Sequence, residues 1–252
     1  MKTSRPARSA GTMLLLGSTL VLIPYTLLTL IFDYPAILRE SPGVILTRFQ
    51  EGGPQLIAVW WAFALTGLPL LAAFVRLGQL LENRHPLVRL ATTFGLIGGV
   101  AQIVGLLRWT FVVPVLARSY VTTDDPAVKA TTEAVFQAVH QFGGVLLGES
   151  VGQLFTIGWT VLTALALRQL GWISGRMAVF GYTASGVYLL AQSELFATVL
   201  PGFPEVGWAG LAGSTLWLVW MAGIGLRLRR PAPDHSKTFG PSAAESFRNL
   251  PA

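Results

Sequence analysis

Long apolar runs separated by short polar segments form the main pattern of this sequence. A run of about 20 apolar residues is long enough to cross the hydrocarbon of a bilayer as a helix. The pattern therefore predicts an all-α polytopic membrane bundle with about six transmembrane helices. The predicted spans are residues 11–32, 56–75, 90–115, 143–167, 177–200 and 206–226.

The first run resembles a signal peptide but is predicted to stay in place as a span. Its apolar core is too long, and Phe32-Asp33-Tyr34-Pro35 follows it instead of a small-residue cleavage site. Two short interfacial helices are predicted between later spans. Ser41-Pro42 and Asp125-Pro126 each combine a helix-capping residue with proline at the first helical position. The first of these helices should end at residues 52–54, and residues 116–125 should form a polar loop.

The composition supports lipid as the outer solvent. The chain is 52% hydrophobic and 12% charged, whereas about a quarter of the residues of soluble domains are charged. The net charge is +6, but the basic residues flank the apolar runs, so nucleic acid is not an expected partner. Because the chain has no cysteine, thiolate metal sites are excluded. No metal and no cofactor are expected.

The distribution of lysine and arginine predicts the orientation. If the N-terminus is cytoplasmic, thirteen basic residues lie in cytoplasmic segments and four in outer segments. This bias predicts a multi-pass protein of the cytoplasmic membrane with both termini inside. The predicted organisation is a cytoplasmic segment at 1–10, a transmembrane domain at 11–228 and a disordered cytoplasmic tail at 229–252.

Three charged residues fall within the predicted spans. Arg108, Glu149 and Glu194 lie on three different helices, each about 9–11 Å below the outer boundary at 1.5 Å per residue. Charges inside spans are costly and suggest a functional site. A guanidinium group matches carboxylate geometry, so Arg108 is predicted to pair with one or both acids. The surplus acid would be protonated, be matched by His140, or hold a cationic ligand or a proton.

Further polar residues extend this layer and complete the set of candidates for ligand or ion binding. Gln153 is one turn from Glu149 and is placed to orient it, and Gln192 adds an amide in the fifth span. His140 lies at the outer end of the fourth span, as a pH sensor or as a simple interfacial hydrogen-bonding group. The six candidates are Arg108, His140, Glu149, Gln153, Gln192 and Glu194. In addition, Gly144, Gly148 and Gly152 recur every four residues, a spacing that lets another helix approach closely.

No catalytic residue is assigned. The stretch Gly148-Glu149-Ser150-Val151-Gly152 matches G-x-S-x-G, but a hydrolase needs this motif at a sharp strand-to-helix turn. Here it lies inside an apolar helical run, so helix packing is the preferred interpretation. An enzymatic function is not favoured.

One part of the sequence resembles a known family. The stretch runs from His140-Gln141-Phe142-Gly143-Gly144 to Gly148-Glu149 and continues in Gly152-Gln153-Leu154; residues 94–100 through Arg108-Trp109 are also similar. Together with the plan of six spans, they resemble a bacterial integral membrane family named domain of unknown function 4386, over about residues 10–228. The resemblance implies a bacterial cytoplasmic-membrane protein and brings no activity, substrate or catalytic residue.

Three hypotheses follow. The preferred one is a non-enzymatic membrane protein that binds or senses a small ligand or ion through an outward-facing polar layer. The second is a structural or partner-binding bundle whose charges only fix helix packing. The third is an intramembrane enzyme or a proton-coupled transporter that uses Glu149 or Glu194. A binding site predicts a cavity that reaches the charges, and a packing role predicts mutual pairing. The sequence assigns neither a ligand nor an oligomeric state.

Overall fold

A computed structural model describes residues 5–230 of the chain. All regular elements in this range are helical, which confirms the all-α prediction. The α-helices are α1 Arg5–Leu20, α2 Leu22–Phe32, α3 Pro42–Leu65, α4 Gly67–Leu81, α5 Leu87–Phe111, α6 Val113–Val121, α7 Pro126–Val139, α8 Gly152–Gln169, α9 Gly175–Leu190, α10 Gln192–Ala197 and α11 Ala209–Arg229. A 3₁₀ turn, Ala36–Arg39, precedes α3, and a π-helix, His140–Val151, joins α7 to α8.

Five helical stretches are long and apolar enough to cross a membrane. They are Arg5–Phe32, Pro42–Leu81, Leu87–Val121, Pro126–Gln169 and Ala209–Arg229. The remaining predicted span, 177–200, is divided at Ala191 into α9, with 16 residues, and the shorter α10. At 1.5 Å per residue α9 is about 24 Å long, which is shorter than the hydrocarbon core of about 30 Å. The chain is therefore a multi-pass membrane protein, and the predicted span 177–200 is not among its five candidate crossings.

The crossings pack side by side in a closed ring. α1 packs against α4 and α11, α11 packs against α9, α9 against α8, α8 against α5, and α5 against α4. Phe74, Trp159 and Trp220 are buried inside the ring, and the ring centroids of Phe74 and Trp159 are 4.2 Å apart. Many large apolar side chains are exposed on its outside, among them Leu30 and Leu211. This distribution fits a bundle surrounded by lipid.

A second core lies at the end of the bundle that is opposite Arg5 and Arg230, the first and last described residues. We call this end the loop end; the 3₁₀ turn, α6, α7 and α10 lie there. Its centre is an aromatic cluster in which Trp60 stacks on Trp109 with ring centroids 4.8 Å apart and Phe49 stacks on the other side. The apolar face of the first part of α3 is buried here. This segment of α3 therefore packs onto the bundle and supports the aromatic cluster at the end of α5.

Local sequence signals explain several helix boundaries. Asp125 caps α7 through a bond from the Ala127 N–H at 2.8 Å, which confirms the predicted helix start. Gly53 has a φ of 57°, in the left-handed region that glycine tolerates, so the first helical part of α3 ends at the predicted break and the second part continues beyond a kink.

The polar loop predicted at 116–125 is wrong in its first half, because α6 continues to Val121. Pro114 suits the first turn of a helix, and Val113 and Ala117 are fully buried in the second core.

Two predicted boundaries lie close to the limits of the described residues. α1 already begins at Arg5, inside the segment predicted as a polar N-terminal stretch. α11 ends at Arg229, and the predicted disorder of the tail lies outside the described residues, apart from its first two positions. The division into three segments stays a prediction.

Candidate functional site

The π-helix is the element on which the site is built. It extends over twelve residues and carries His140 at its start and Glu149 near its end. Hydrogen bonds in a π-helix connect residues five apart, and such segments are rare and frequently occur at functional sites. The sequence predicted a joint between two helices at Gly143-Gly144; the structure has the junction there, but it is a π-helix, which was not predicted. Three glycines of the π-helix lie against α5. The space at the widened turns of the π-helix is therefore filled by α5.

α5 approaches the π-helix at backbone contact. A Cβ atom added at Gly105 would lie 2.7 Å from the Cα of Gly148 and 2.8 Å from the carbonyl oxygen of Gly143. About two turns away along α5, a Cβ on Gly98 would lie 3.0 Å from the carbonyl oxygen of Gly152. The predicted close approach at the small-residue stripe is confirmed. It also brings the guanidinium group of Arg108 directly against Gly144, where any side chain would collide with it.

Arg108 is buried beside the π-helix, with 8% of its surface exposed. Its Nη1 donates to the carbonyl oxygen of Gly105, and its guanidinium carbon lies 5.2 Å from the centre of the Trp109 ring. Its Nε is buried and has no hydrogen-bond partner. Within residues 5–230 Arg108 forms no ion pair, so the predicted direct pairing with Glu149 or Glu194 is wrong.

Glu194 pairs with an arginine that the sequence analysis did not select. Nη2 of Arg39 donates to Oε2 of Glu194 at 3.2 Å, and both side chains are partly exposed. The other carboxylate oxygen, Oε1, is buried without a partner. Arg39 belongs to the 3₁₀ turn between α2 and α3, which folds over the loop end. A positive charge seven residues after the first span was the available signal, since it lies near the level of the intramembrane acids.

Glu149 lies among the other charges. It interacts electrostatically with Arg39, Arg108 and Glu194, and it is also close enough to influence the phenols of Tyr34 and Tyr188. Its side chain is partly exposed. Among the residues that the structure describes, its carboxylate has neither a hydrogen-bond nor an ion-pair partner. We call Arg39, Arg108, His140, Glu149 and Glu194 the charged cluster.

His140 joins the charged cluster to the aromatic cluster. Its ring stacks on Phe136 with centroids 5.5 Å apart and meets the edge of Trp109 at 6.1 Å. The Nδ1 atom is buried and has no partner. The same ring lies within electrostatic range of both Arg39 and Arg108. The structure therefore places the predicted candidates His140, Arg108, Glu149 and Glu194 in one region.

Tyr34 forms one wall of this region and lies outside the helices that cross the membrane. Its ring packs edge-on against Trp60 with centroids 5.2 Å apart. Burial raises the pKa of the Tyr34 phenol far above its ordinary value of 10.0. The phenol therefore stays neutral at physiological pH and contributes a hydroxyl group rather than a charge.

The two candidate glutamines form a separate hydrogen-bonded group. The Gln192 amide donates to Oε1 of Gln153 at 2.6 Å and accepts from Ser150 Oγ at 2.9 Å. Gln153 therefore bonds to Gln192 and not to Glu149, which corrects the predicted orienting contact. Ser150, the serine of the G-x-S-x-G match, lies in the π-helix and lacks the strand-to-helix turn of a hydrolase.

This glutamine group opens a polar stripe along α8. Thr156 and Thr160 follow Gln153 at helical spacing; Thr156 accepts from Gln102 at 3.0 Å and Thr160 accepts from Trp217 at 2.8 Å. Thr156 is 5% exposed and Thr160 is 0% exposed. The stripe is therefore packed and hydrogen-bonded, as polar contacts between membrane helices commonly are.

We expect Gln192→Leu to lower the thermal unfolding midpoint, because Ser150 and Gln153 would lose their shared partner in the bundle interior. A buried polar group left without a partner costs about 1–3 kcal/mol. The measurement is thermal unfolding of the purified protein in detergent. The control is Gln137→Leu, at an exposed position of α7. Equal midpoints for the two variants would show that the glutamine group contributes nothing to the packing of α10.

Two cavities of the described structure lie away from the charged cluster. One is a small apolar cavity between α4, α5 and α8, lined by Phe74, Leu77 and Trp159. The other is an open cavity of about 470 Å³ at the loop end, lined by Thr47, Tyr120 and other residues of α3, α6 and α7. No three histidine or acidic side chains within residues 5–230 come together as metal ligands. The exposed side of the charged cluster is the Arg39–Glu194 pair.

Comparison with known proteins gives one result. A family model described as "Domain of unknown function (DUF4386)" matches residues 9–225. No curated protein and no solved structure matches the chain.

Proposed function

Because the chain belongs to the DUF4386 family, whose description carries no activity, we propose from geometry that this membrane protein binds a small polar solute or ion at the charged cluster. Glu149 is the group that contacts it. The supporting observation is that the Glu149 carboxylate has no partner among the described residues although three neighbouring groups, Arg39, Arg108 and Glu194, carry charge. An unpaired carboxylate in a membrane bundle is costly and marks a functional position.

Three buried atoms around Glu149 support the same proposal. Arg108 Nε, His140 Nδ1 and Glu194 Oε1 have no hydrogen-bond partner. Polar groups in protein interiors are nearly always satisfied, and each exception calls for an explanation. A solute bound between them would provide donors and acceptors to all of these atoms at once.

A packing role explains Glu194 better than Glu149. The Arg39–Glu194 pair connects the 3₁₀ turn to α10 and needs no further partner to act as a structural contact. Glu149 has no such contact. The structural hypothesis therefore fits one of the two acids, and the binding hypothesis fits the other.

Binding is favoured over transport because of the packing inside the bundle. Beyond the charged cluster, the polar stripe of α8 is packed, with Thr160 fully buried and Thr163 5% exposed. A transporter would need a second access route to Glu149, and that route would have to pass through this packed part of the bundle. We also propose that the loop end faces outward, on the distribution of basic residues. The solute would then enter past the Arg39–Glu194 pair from the external side.

We expect Glu149→Gln to change the thermal unfolding midpoint only slightly, because the carboxylate has no direct hydrogen-bond or ion-pair partner to lose, although the charged cluster keeps one excess positive charge. If Glu149 instead held Arg108 as a buried ion pair, its loss would cost about 3–5 kcal/mol. The comparison variant is Glu194→Gln, which breaks a partly exposed ion pair and should cost at most about 1 kcal/mol.

The same purified protein is then treated with a water-soluble carbodiimide and an amine, and modified carboxyl groups are located by mass spectrometry. We expect modification at Glu149, with the exposed Glu205 as the positive control. A large loss of stability in Glu149→Gln, or an unmodified Glu149 beside a modified Glu205, would contradict the proposed function.

A further inference from the structure

We infer that the solute is a small monocarboxylate and that it binds to the charged cluster together with one proton, which Glu149 carries. This inference rests on the proposed function and names the chemical class of the ligand.

The charge balance of the cluster is the first argument. Arg39 and Arg108 are positive, and Glu149 and Glu194 are negative, so the four groups sum to zero when both acids are ionised. A net charge in a low-dielectric interior is expensive. A monoanion that entered alone would leave an excess negative charge. Protonation of Glu149 restores neutrality, because Glu194 remains committed to Arg39.

The same balance disfavours other ligand charges. A monovalent cation would be the third positive charge beside Arg39 and Arg108, with no acid left to offset it. A dianion such as hydrogen phosphate would leave one uncompensated negative charge even with Glu149 protonated. Among ligands that carry a net charge, the combination that keeps the cluster neutral is one monoanion with one proton.

The guanidinium of Arg108 favours a carboxylate among the monoanions. Its Nη1 already donates to Gly105, whereas the buried Nε is without a partner. A carboxylate accepts from two guanidinium N–H groups with matched geometry, which a spherical anion does not. The indole of Trp109 and the His140–Phe136 stack lie beside this group and suit a short apolar chain.

Charged and titratable groups face Glu149 from several elements. The 3₁₀ turn contributes Arg39, and the neutral Tyr34 lies just before it. α5 contributes Arg108, α9 contributes the Tyr188 phenol, and α10 contributes Glu194. The acid of α7, Glu133, is engaged with Tyr120. His140 is the remaining proton acceptor in the charged cluster. The experiment must therefore separate Glu149 from His140.

The test is calorimetric titration of propionate into the purified full-length protein in detergent. It is performed between about pH 5 and pH 8, where histidine and perturbed acids titrate. Bis-Tris and PIPES buffers, which contain no carboxylate and differ in ionisation enthalpy, report the number of protons taken up. We expect one proton per propionate, and a binding constant that falls about tenfold for each pH unit once Glu149 is ionised in the free protein.

Two variants make the assignment specific. Glutamine resembles a permanently protonated glutamate, so Glu149→Gln should bind propionate at every pH with the affinity of the wild type at low pH, without proton uptake. His140→Gln should keep the proton uptake of the wild type. Proton uptake that persists in Glu149→Gln and disappears in His140→Gln would overturn the inference.

The remaining outcomes separate the inference from the proposed function. Absence of propionate binding at millimolar concentration, or binding that does not change with pH in the wild type, overturns the inference alone. So does binding of ammonium or glycine in place of propionate. The proposed function fails separately, through the stability of Glu149→Gln and the carbodiimide reaction described above.

Discussion

Gly105→Leu is expected to remove most of the yield of folded protein. The new side chain would begin 2.7 Å from the Cα of Gly148 and 2.8 Å from the carbonyl oxygen of Gly143. Both obstacles are backbone atoms, so no side-chain rotation relieves the collision, and α5 and the π-helix must separate. Overpacking of a core costs about 1–3 kcal/mol and occasionally more, and we place this variant at the upper end. The measurement is the monodisperse yield in detergent together with the thermal unfolding midpoint.

The matched control for this variant is Gly186→Leu. Gly186 is also a glycine within a helix, α9, but a Cβ added there meets nothing within 4 Å. Leucine is a better helix former than glycine by about 1 kcal/mol, so this control should fold at least as well as the wild type. If Gly105→Leu were to fold as well as the control, the backbone contact between α5 and the π-helix would be refuted.

Trp109→Ala is expected to destabilise the protein by about 3–5 kcal/mol, the usual cost of removing a large buried aromatic side chain. Trp109 is 1% exposed, stacks on Trp60 at 4.8 Å and on Phe49 at 5.7 Å, and lies beside the guanidinium group of Arg108. The substitution therefore removes a packing centre and the aromatic face beneath a buried cation. The thermal unfolding midpoint measures the first effect.

Two further variants test this interpretation of Trp109. Trp61→Ala changes a neighbouring tryptophan that is 49% exposed on the outside of the bundle, and it should have little effect. Trp109→Phe keeps an aromatic ring in the stack and should recover part of the lost stability. Equal losses for Trp61→Ala and Trp109→Ala would mean that the aromatic cluster is not the core of the loop end.

The parts of the fold that were predictable depend on local sequence. Apolar runs defined the crossings, and Asp125-Pro126 defined the start of α7, because capping and hydrophobic length act over a few residues. The glycine stripe correctly indicated close packing, since small residues permit it whatever the neighbour is. The boundary at Ala191 was missed because no proline marks it and the predicted span includes the polar residues Gln192, Ser193 and Glu194.

The depth of the charged residues in the membrane could be predicted from the sequence, but their ion-pair partners could not. Spacing along a span gives the level of Arg108, Glu149 and Glu194 in the membrane. Which of them face each other depends on how the helices rotate about their axes. The α5 contact turns Arg108 toward Gly105 and Gly144, and the fold of the 3₁₀ turn brings Arg39 to Glu194.

The π-helix was also beyond prediction from the sequence. Its residues favour an ordinary helix with weak points at glycine, and no local signal distinguishes bonds to the fifth residue from bonds to the fourth. The widened turns coincide with the glycines against which α5 packs. This conformation therefore depends on the neighbouring helix, and the position of Glu149 depends on it in turn.

The unbroken length of the fourth helical stretch has a consequence for the shape of the particle. Pro126–Gln169 contains 44 residues, which correspond to about 66 Å if the rise is that of an α-helix. A bilayer with its headgroups is about 40–45 Å thick, and ordinary tilts of about 20° absorb only a small part of the difference. One end of this rod must stand clear of the lipid. α6 and the first part of α3 lie beside α7. Together these helices project about 20 Å from one side of the bilayer. This asymmetric profile would orient individual particles in electron micrographs of nanodiscs.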